Sequence, residues 1–231
     1  MAPTLTHSNY DLVVQQLIPG YASLARLAVS LLAASPLASA TGSAVLVAGC
    51  GTGAELLEAR SQRPDWQLTA IDPAVEMLTV ARQRLAQDGL DGAAAGAINW
   101  RQSTIEELDA PAAFDGALSV LVLQSLADDG AKLAFLTALA RSLRPGGQLV
   151  LVDLMRSERS PLQAQVEQAW LGFQRASGLT AAAEALDALS QGLHPIGLAR
   201  LTSLVNAAGF CDPALVFKAL DVEGFLLQRR A

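Results

Sequence analysis

Val45 to Gly53 reads Val-Leu-Val-Ala-Gly-Cys-Gly-Thr-Gly: an apolar run, then glycines at alternate positions, Gly49, Gly51 and Gly53. Residues of helical composition come next, from Ala54 to Gln62. Glycines let such a turn close tightly and let a ligand touch backbone. A helix that starts just after the turn offers N–H groups and partial positive charge to an anion. Asp72 comes 21 residues after Gly51, at the end of a second apolar run. A carboxylate at that place can accept both hydroxyls of a ribose. Loop and acid together point to a nucleoside ligand. They leave its class open, because Gly49-x-Gly51-x-x-Ala54 also fits the dinucleotide fingerprint.

Few other side chains offer chemistry. His194, one of two histidines, precedes Pro195 and could act as a general base or be a plain surface-loop residue. Gln124 and Asp153 close two later apolar runs. Gln124 could orient a substrate, and Asp153 could instead cap the next segment of chain. Trp170 and Phe173 lie three apart, a spacing that suits an apolar pocket, a dimer seam or core packing. Cys50 and Cys211 form no metal-binding or redox spacing, so no metal is expected.

The elements that must hold these groups alternate. Two amphipathic stretches, Tyr10–Ile18 and Tyr21–Ala34, are separated by Pro19-Gly20. Strands are expected at Ala44–Ala48, Gln67–Ile71, Ala97–Arg101, Phe114–Val122 and Gln148–Asp153, with helices at Ala54–Gln62, Ala74–Gln87 and from Asp128-Asp129 to Ser142. Pro145-Gly146-Gly147 reads as the turn into the fifth strand. Strands alternating with helices of this length predict an α/β fold, a doubly wound and mainly parallel sheet covered on both faces. Residues 161–191 then read as helical throughout, an insertion over the ligand edge of the sheet. Leu198–Ala207 is another helix, and Ala214–Ala219 with Glu223–Gln228 reads as a terminal antiparallel pair.

Composition narrows the classes. Of 231 residues, 52% are hydrophobic and 16% charged, which describes a globular chain and not a disordered one. Net charge is −6, and Lys132 and Lys218 are the only lysines. Phosphate backbones need clustered Lys and Arg, so nucleic acid is a poor fit. No segment reaches the roughly 18–20 apolar residues of a membrane span. The first eleven residues lack the basic-then-apolar order of a signal peptide. The expectation is a cytosolic protein.

Together, Val47–Gly53, Ile71-Asp72-Pro73 with Glu76-Met77-Leu78, Leu143-Arg144-Pro145-Gly146-Gly147 and Ala207-Ala208-Gly209-Phe210 resemble the class I S-adenosylmethionine-dependent methyltransferases. The resemblance covers about residues 40–230. It implies a seven-stranded sheet of order 3-2-1-4-5-7-6 with the last strand antiparallel. It implies a lid of N-terminal helices over residues 1–40, a catalytic domain over 41–231 with its insertion at about 158–192, and S-adenosyl-L-methionine as cofactor. Gly49, Cys50, Gly51 and Gly53 would line the methionine part. Asp72 would hold the ribose, and Pro73 and Met77 would flank adenine. Ser103, Thr104 and Ile105 come after the third strand, where the family usually places an acid against the adenine amino group. Val120 and Gln124 would run beneath the transferred methyl. Tyr10 and Tyr21, the only tyrosines, would sit near the cofactor in the lid. The family usually carries an acid at the position of Ala48, which this chain lacks.

Tyr10-Asp11, Ile18-Pro19-Gly20-Tyr21 and Phe173–Gly178 are also similar to segments of the tRNA uridine-5-oxyacetic acid carboxymethyltransferases. Those enzymes hold a carboxylated cofactor with an arginine of the insertion, and they suggest a dimer through those helices. Between Arg175 and Arg200 this chain has no Arg or Lys. The expected function is therefore methyl transfer from the ordinary cofactor to a small molecule by in-line displacement, with His194, Tyr10 and Gln124 as candidate catalytic residues. A tRNA carboxymethyltransferase-like enzyme, a catalytically silent cofactor-binding protein and a nucleotide-dependent oxidoreductase stand as alternatives.

Overall fold

A computed structural model describes residues 9–89, 98–156, 160–179 and 192–231. Its elements run α1 (Tyr10–Leu17), α2 (Tyr21–Ala33), β1 (Ala44–Ala48), α3 (Ala54–Gln62), β2 (Gln67–Ile71), α4 (Val75–Gln87), β3 (Asn99–Arg101) and β4 (Phe114–Val120). A 3₁₀ turn (Leu123–Ser125) then leads to α5 (Ala131–Ser142), β5 (Leu143–Leu154) and α6 (Gln163–Ala176). The chain ends in α7 (Leu198–Ala208), β6 (Ala214–Ala219) and β7 (Val222–Gln228).

One seven-stranded sheet has the order β3-β2-β1-β4-β5-β7-β6, as expected. The first five strands pair in parallel, and β7 runs antiparallel to both β5 and β6. β1, with the sequence Ala-Val-Leu-Val-Ala, is buried from Val45 to Ala48 because helices cover both faces of the sheet. On one face α2 lays down Leu24, Ala28, Val29 and Leu32, one stripe at helical spacing, against Val45, Val47, Leu118 and Val150. On the other, α5 and α7 pack Leu136, Leu139, Leu201 and Val205 against Leu46, Ala117, Leu149 and Leu151.

Gly116 makes the α2 contact possible. A Cβ there would lie 2.7 Å from Leu32 Cδ1.

Pro145-Gly146-Gly147 is not a turn before the fifth strand. β5 already pairs at Leu143, opposite Phe114, and resumes at Gln148 opposite Gly116. The strand advances five residues while its partner advances two, so the Pro-Gly-Gly segment is a bulge inside it. Proline has no N–H to offer a ladder, which is why it sits there. The fourth strand stops at Val120, two residues early, where Leu121 takes a positive φ of 58°. The helix expected from Asp128-Asp129 starts at Ala131, whose N–H donates to Asp129 Oδ1 at 3.2 Å. Ala97 and residues 180–191 of the expected third strand and insertion lie outside the described residues.

Candidate active site

The carboxyl ends of β1, β2, β4 and β5 carry the glycine loop, Asp72, the Leu123–Ser125 turn and Asp153. The loop's glycines differ in what they do. Gly49 has φ +72°, and a Cβ on it would lie 2.4 Å from Val122 Cγ2. Gly51 has φ +49° and nothing within 4 Å of such a Cβ. Packing therefore demands Gly49, whereas Gly51 keeps backbone open to space that a ligand can enter.

Four of the loop's N–H groups, those of Gly49, Cys50, Gly51 and Gly53, are taken up within the fold, contrary to the anion-site expectation. Gly49 and Cys50 both donate to Ile71 O at 2.9 Å, and Gly53 donates to Cys50 O at 2.8 Å. Asp72 accepts from Gly51 N through Oδ2 and from Ala74 N through Oδ1, each at 2.9 Å. Its carboxylate thus fastens the loop to the start of α4. The first turn of α3 already holds a carboxyl group, that of Glu55, which lies against its own N–H. Glu55 is 7% exposed, and burial pushes its carboxyl up to about 7.

Acids surround the site. Burial, then Glu55, Asp11, Asp153 and Asp72, push the Tyr10 phenol up to about 12, so it is a neutral hydroxyl and not a phenolate base. Tyr21 shifts upward for similar reasons and donates to Asp11 Oδ1 at 3.3 Å. Asp11 ties α1 to the loop. It accepts from Thr52 Oγ1 at 2.8 and 2.9 Å and pairs with Arg84 of α4. Arg84 also donates to Thr52 O at 3.0 Å.

Asp153 is buried, and desolvation raises its carboxyl to about 7. It accepts from Leu123 N at 3.1 Å and Gln124 N at 2.8 Å. Buried Lys132 donates to Leu123 O from below. Asp153 therefore caps the turn after β4 and sets the position of Gln124. The Gln124 side chain in turn accepts from Leu154 N through Oε1 at 2.9 Å, leaving its amide NH₂ without a partner among the described residues.

A cavity of about 220 Å³ opens at this edge between α1, α6 and the ends of β4 and β5. Its wall is mostly apolar, with Val14, Leu17, Leu121, Leu154 and Trp170, and its polar groups are Tyr10, Gln124 and Ser125. The Trp170 indole N–H donates to Leu17 O at 2.6 Å, which holds α6 against α1.

Tyr10 and Gln124 thus meet at one cavity. His194 does not join them. Its backbone N–H donates to Gln124 O at 2.6 Å, but the residue is exposed and lines a separate polar pocket with Asp128, Arg156 and Arg200. The Cys50 thiol is also out of the site. It is buried in the core beneath the loop and pushed strongly upward by desolvation, so only its backbone can meet a ligand. Pro73 is exposed and Met77 half-buried on the α4 side of Asp72. Ser103 Oγ is buried with no partner among the described residues. The Thr104 N–H donates to Glu107 Oε2 at 2.9 Å, and Ile105 packs in the core. Val120 ends β4 half-buried opposite Val152.

Comparison with known proteins agrees with this geometry. A family model described as a methyltransferase domain matches residues 45–147. These residues resemble a methyltransferase domain. The chain shares 36% identity over 120 residues with the ubiquinone biosynthesis O-methyltransferase of Methylocella silvestris, covering 52% of this chain and 43% of that protein. The Cereibacter sphaeroides protein of the same name is 34% identical over 131 residues, 56% of this chain and 49% of its own. The chain spans less than half the length of these curated relatives.

The fold extends beyond the matched region. A possible exported protein of Bordetella parapertussis superposes over 98% of this chain and 80% of its own, with a TM-score of 0.70 at 20% identity. Human N-acetylserotonin methyltransferase, solved with S-adenosylmethionine, superposes over 90% of this chain and 52% of its own at 0.59 and 19%.

Sequence reasoning missed three residues that shape this edge of the sheet. Glu55 lies in a stretch whose sequence shows only helical composition. Lys132 is one of two lysines, and its burial is invisible in the sequence. Asp11 stands out only within a motif, although its bonds to Thr52 and Arg84 fix the first helix. Among the described residues no helix is long and apolar enough to cross a membrane, and no cluster of three acid, His or Cys side chains could hold a metal.

Proposed function

We propose that this chain transfers a methyl group from S-adenosyl-L-methionine to a small, largely apolar acceptor held between α1 and α6. The observation that carries the cofactor side is the filling of the α3 N-terminus by the Glu55 carboxyl, with Asp11, Asp72 and Asp153 around it. A pyrophosphate needs free N–H groups and positive charge at that place. Here the N–H groups of Gly49, Cys50, Gly51, Gly53 and Glu55 are used and the surroundings are acidic, which suits a ligand with cationic groups and disfavours a dinucleotide. Space over Gly51 fits a ligand lying against the loop.

In this reading Gly49, Gly51, Gly53 and the Cys50 backbone bed the methionine part, under Tyr21. Asp72 holds the ribose while keeping its bonds to Gly51 and Ala74. Pro73, Met77, Ser103, Thr104 and Ile105 enclose adenine, with the Ser103 hydroxyl rotating to reach it. Val120 lies beneath the reacting centre. Residues 1–40 serve as a lid, fastened by Asp11.

The bound cofactor supplies an electrophilic methyl on a good leaving group. The protein's task is alignment and exclusion of water. The apolar wall excludes water, and Tyr10 and Gln124 orient the acceptor by hydrogen bonds. Neither can be a strong base, since Tyr10 is neutral and Gln124 does not titrate. An acceptor whose own hydroxyl ionises easily, such as a phenol, therefore fits best, and the O-methyltransferase names of the relatives support oxygen as nucleophile. The net charge of −6 supports a small molecule over nucleic acid. We further propose a cytosolic enzyme that pairs through its insertion helices, where Leu162 is exposed.

Calorimetry with S-adenosylmethionine, S-adenosylhomocysteine and NAD, on wild type and Asp72→Ala, tests the site. The first two should bind and weaken in the variant. Binding of NAD alone would overturn the assignment. A retained cofactor without transfer to any phenol or alcohol panel would favour the silent-binder alternative.

A further inference from the structure

We propose that Glu55 is the counter-ion for the α-ammonium group of the cofactor's aminoacyl part. The inference rests on the cofactor-site reading above and assigns to that site a residue outside the glycine loop.

Glu55 stands in the first turn of α3, directly after Ala54, and its side chain is turned inward. Among the described residues no cation neutralises it. Arg84, the nearest source of positive charge, is committed to Asp11 and to Thr52, and acts on Glu55 only weakly. The groups that face Glu55 are Tyr10 and Asp11 from α1, Tyr21 from α2, Cys50 from the loop and Arg84 from α4. All but Arg84 are neutral or acidic. Its own helix adds Glu58 one turn on, and Glu58, Glu55, Asp11, Tyr21 and Arg84 all line a small cavity between α1, α2, α3 and α4.

A buried carboxylate without a counter-cation is costly, and such a group persists where something else meets its charge. The proposed ligand has two candidate cations, the ammonium and the sulfonium. The sulfonium must carry its methyl toward the acceptor cavity, whose polar groups are Tyr10, Gln124 and Ser125. Glu55 is not on that wall; it lines the pocket on the α2 side with Tyr21 and Asp11. The ammonium is the cation left to reach it. Ala48, which ends β1 beneath the loop, is an apolar and fully buried residue, so that strand end supplies no carboxylate of its own.

The pairing also fixes a proton balance. With its carboxyl near 7 in the free protein, Glu55 is partly protonated at neutral pH. An ammonium beside it favours the carboxylate, so binding releases a proton to solvent. Affinity should rise with pH up to about 7 and then level off.

The test compares Glu55→Gln and Glu55→Asp with wild type by calorimetry, using three probes. S-adenosylmethionine has both cations, S-adenosylhomocysteine has only the ammonium, and 5′-methylthioadenosine has neither. Glu55→Gln should weaken the first two alike, by about 10- to 100-fold, the loss expected for one buried charged hydrogen bond. It should leave methylthioadenosine within about twofold. Glu55→Asp should recover part of the loss. The pH slope and proton release with S-adenosylhomocysteine should vanish in Glu55→Gln. Urea unfolding of the free variant, expected to be as stable as wild type or more so above about pH 7, confirms that it folds. Weakening of S-adenosylmethionine alone would mean that Glu55 serves the sulfonium, and an unchanged affinity for both would make it structural. Either result overturns the inference. Failure of wild type to bind S-adenosylhomocysteine would instead overturn the site reading beneath it.

Discussion

Replacing Gly49 and Gly51 by alanine separates packing from ligand contact within one loop. Both glycines have positive φ, so each alanine carries about 1–2 kcal/mol of backbone strain. At Gly51 the new methyl meets nothing within 4 Å, and that strain is the whole cost. At Gly49 the methyl would lie 2.4 Å from Val122 Cγ2, well inside contact distance. Overpacking of this kind adds about 1–3 kcal/mol, for a total of about 2–5 kcal/mol. Val122 is only half-buried and its far end can give way, so the lower half of that range is expected. In urea unfolding, Gly49→Ala should lose clearly more stability than Gly51→Ala. Adding Val122→Ala should return part of the Gly49→Ala loss, a coupling of about 1 kcal/mol between neighbours. Calorimetry with S-adenosylhomocysteine should show the reverse order, with the larger affinity loss per unit of stability lost in Gly51→Ala. Equal stability losses would refute the packing argument. Wild-type affinity in a folded Gly51→Ala would refute the claim that a ligand lies over that glycine.

Asp11→Ala should cost about 1–2 kcal/mol, because Thr52, Tyr21 and Arg84 all lose their acceptor, and should speed cofactor release. Stopped-flow dissociation unchanged from wild type would show that α1 is no lid. Tyr10→Phe and Gln124→Ala should each lower kcat/KM by about tenfold and leave S-adenosylhomocysteine affinity intact, whereas His194→Ala should stay within about twofold on both. Glu55 and Asp153 hold protons more tightly in the native state than in the unfolded chain, with carboxyls at about 7. Their contribution to stability of the free protein is therefore greatest below about pH 4 and falls as pH rises to about 7. Urea unfolding across that window should show the fall, and Glu55→Gln should flatten its share.

Much of the scaffold was legible because its signals are local. Val45 to Gly53 reads as strand, turn and helix from hydrophobic runs and glycines alone, and Asp72 comes at the spacing a βαβ unit imposes. The order of all seven strands came from the resemblance of several motifs taken together, not from periodicity. Local reading failed where a segment's state depends on a distant strand. Pro145-Gly146-Gly147 looks like a turn in isolation, but pairing of Leu143 with Phe114 draws it into β5 as a bulge.

The chemistry of the edge was less legible, for the same reason. Glycines and an acid after a strand are enough to point to a nucleoside there, since backbone conformation and chain spacing are properties of short segments. Which N–H groups remain free, which carboxyls are desolvated and which polar groups share a cavity depend on elements far apart in the chain. Folding puts Gly51 N on Asp72, Asp11 on Thr52 and Arg84, and Asp153 under Gln124. It also moves His194 away from Tyr10 and buries Glu55 among acids and phenols. Charge and desolvation act through space over several ångströms, so only the tertiary structure could show that a glycine loop which suits two ligand classes stands among acids.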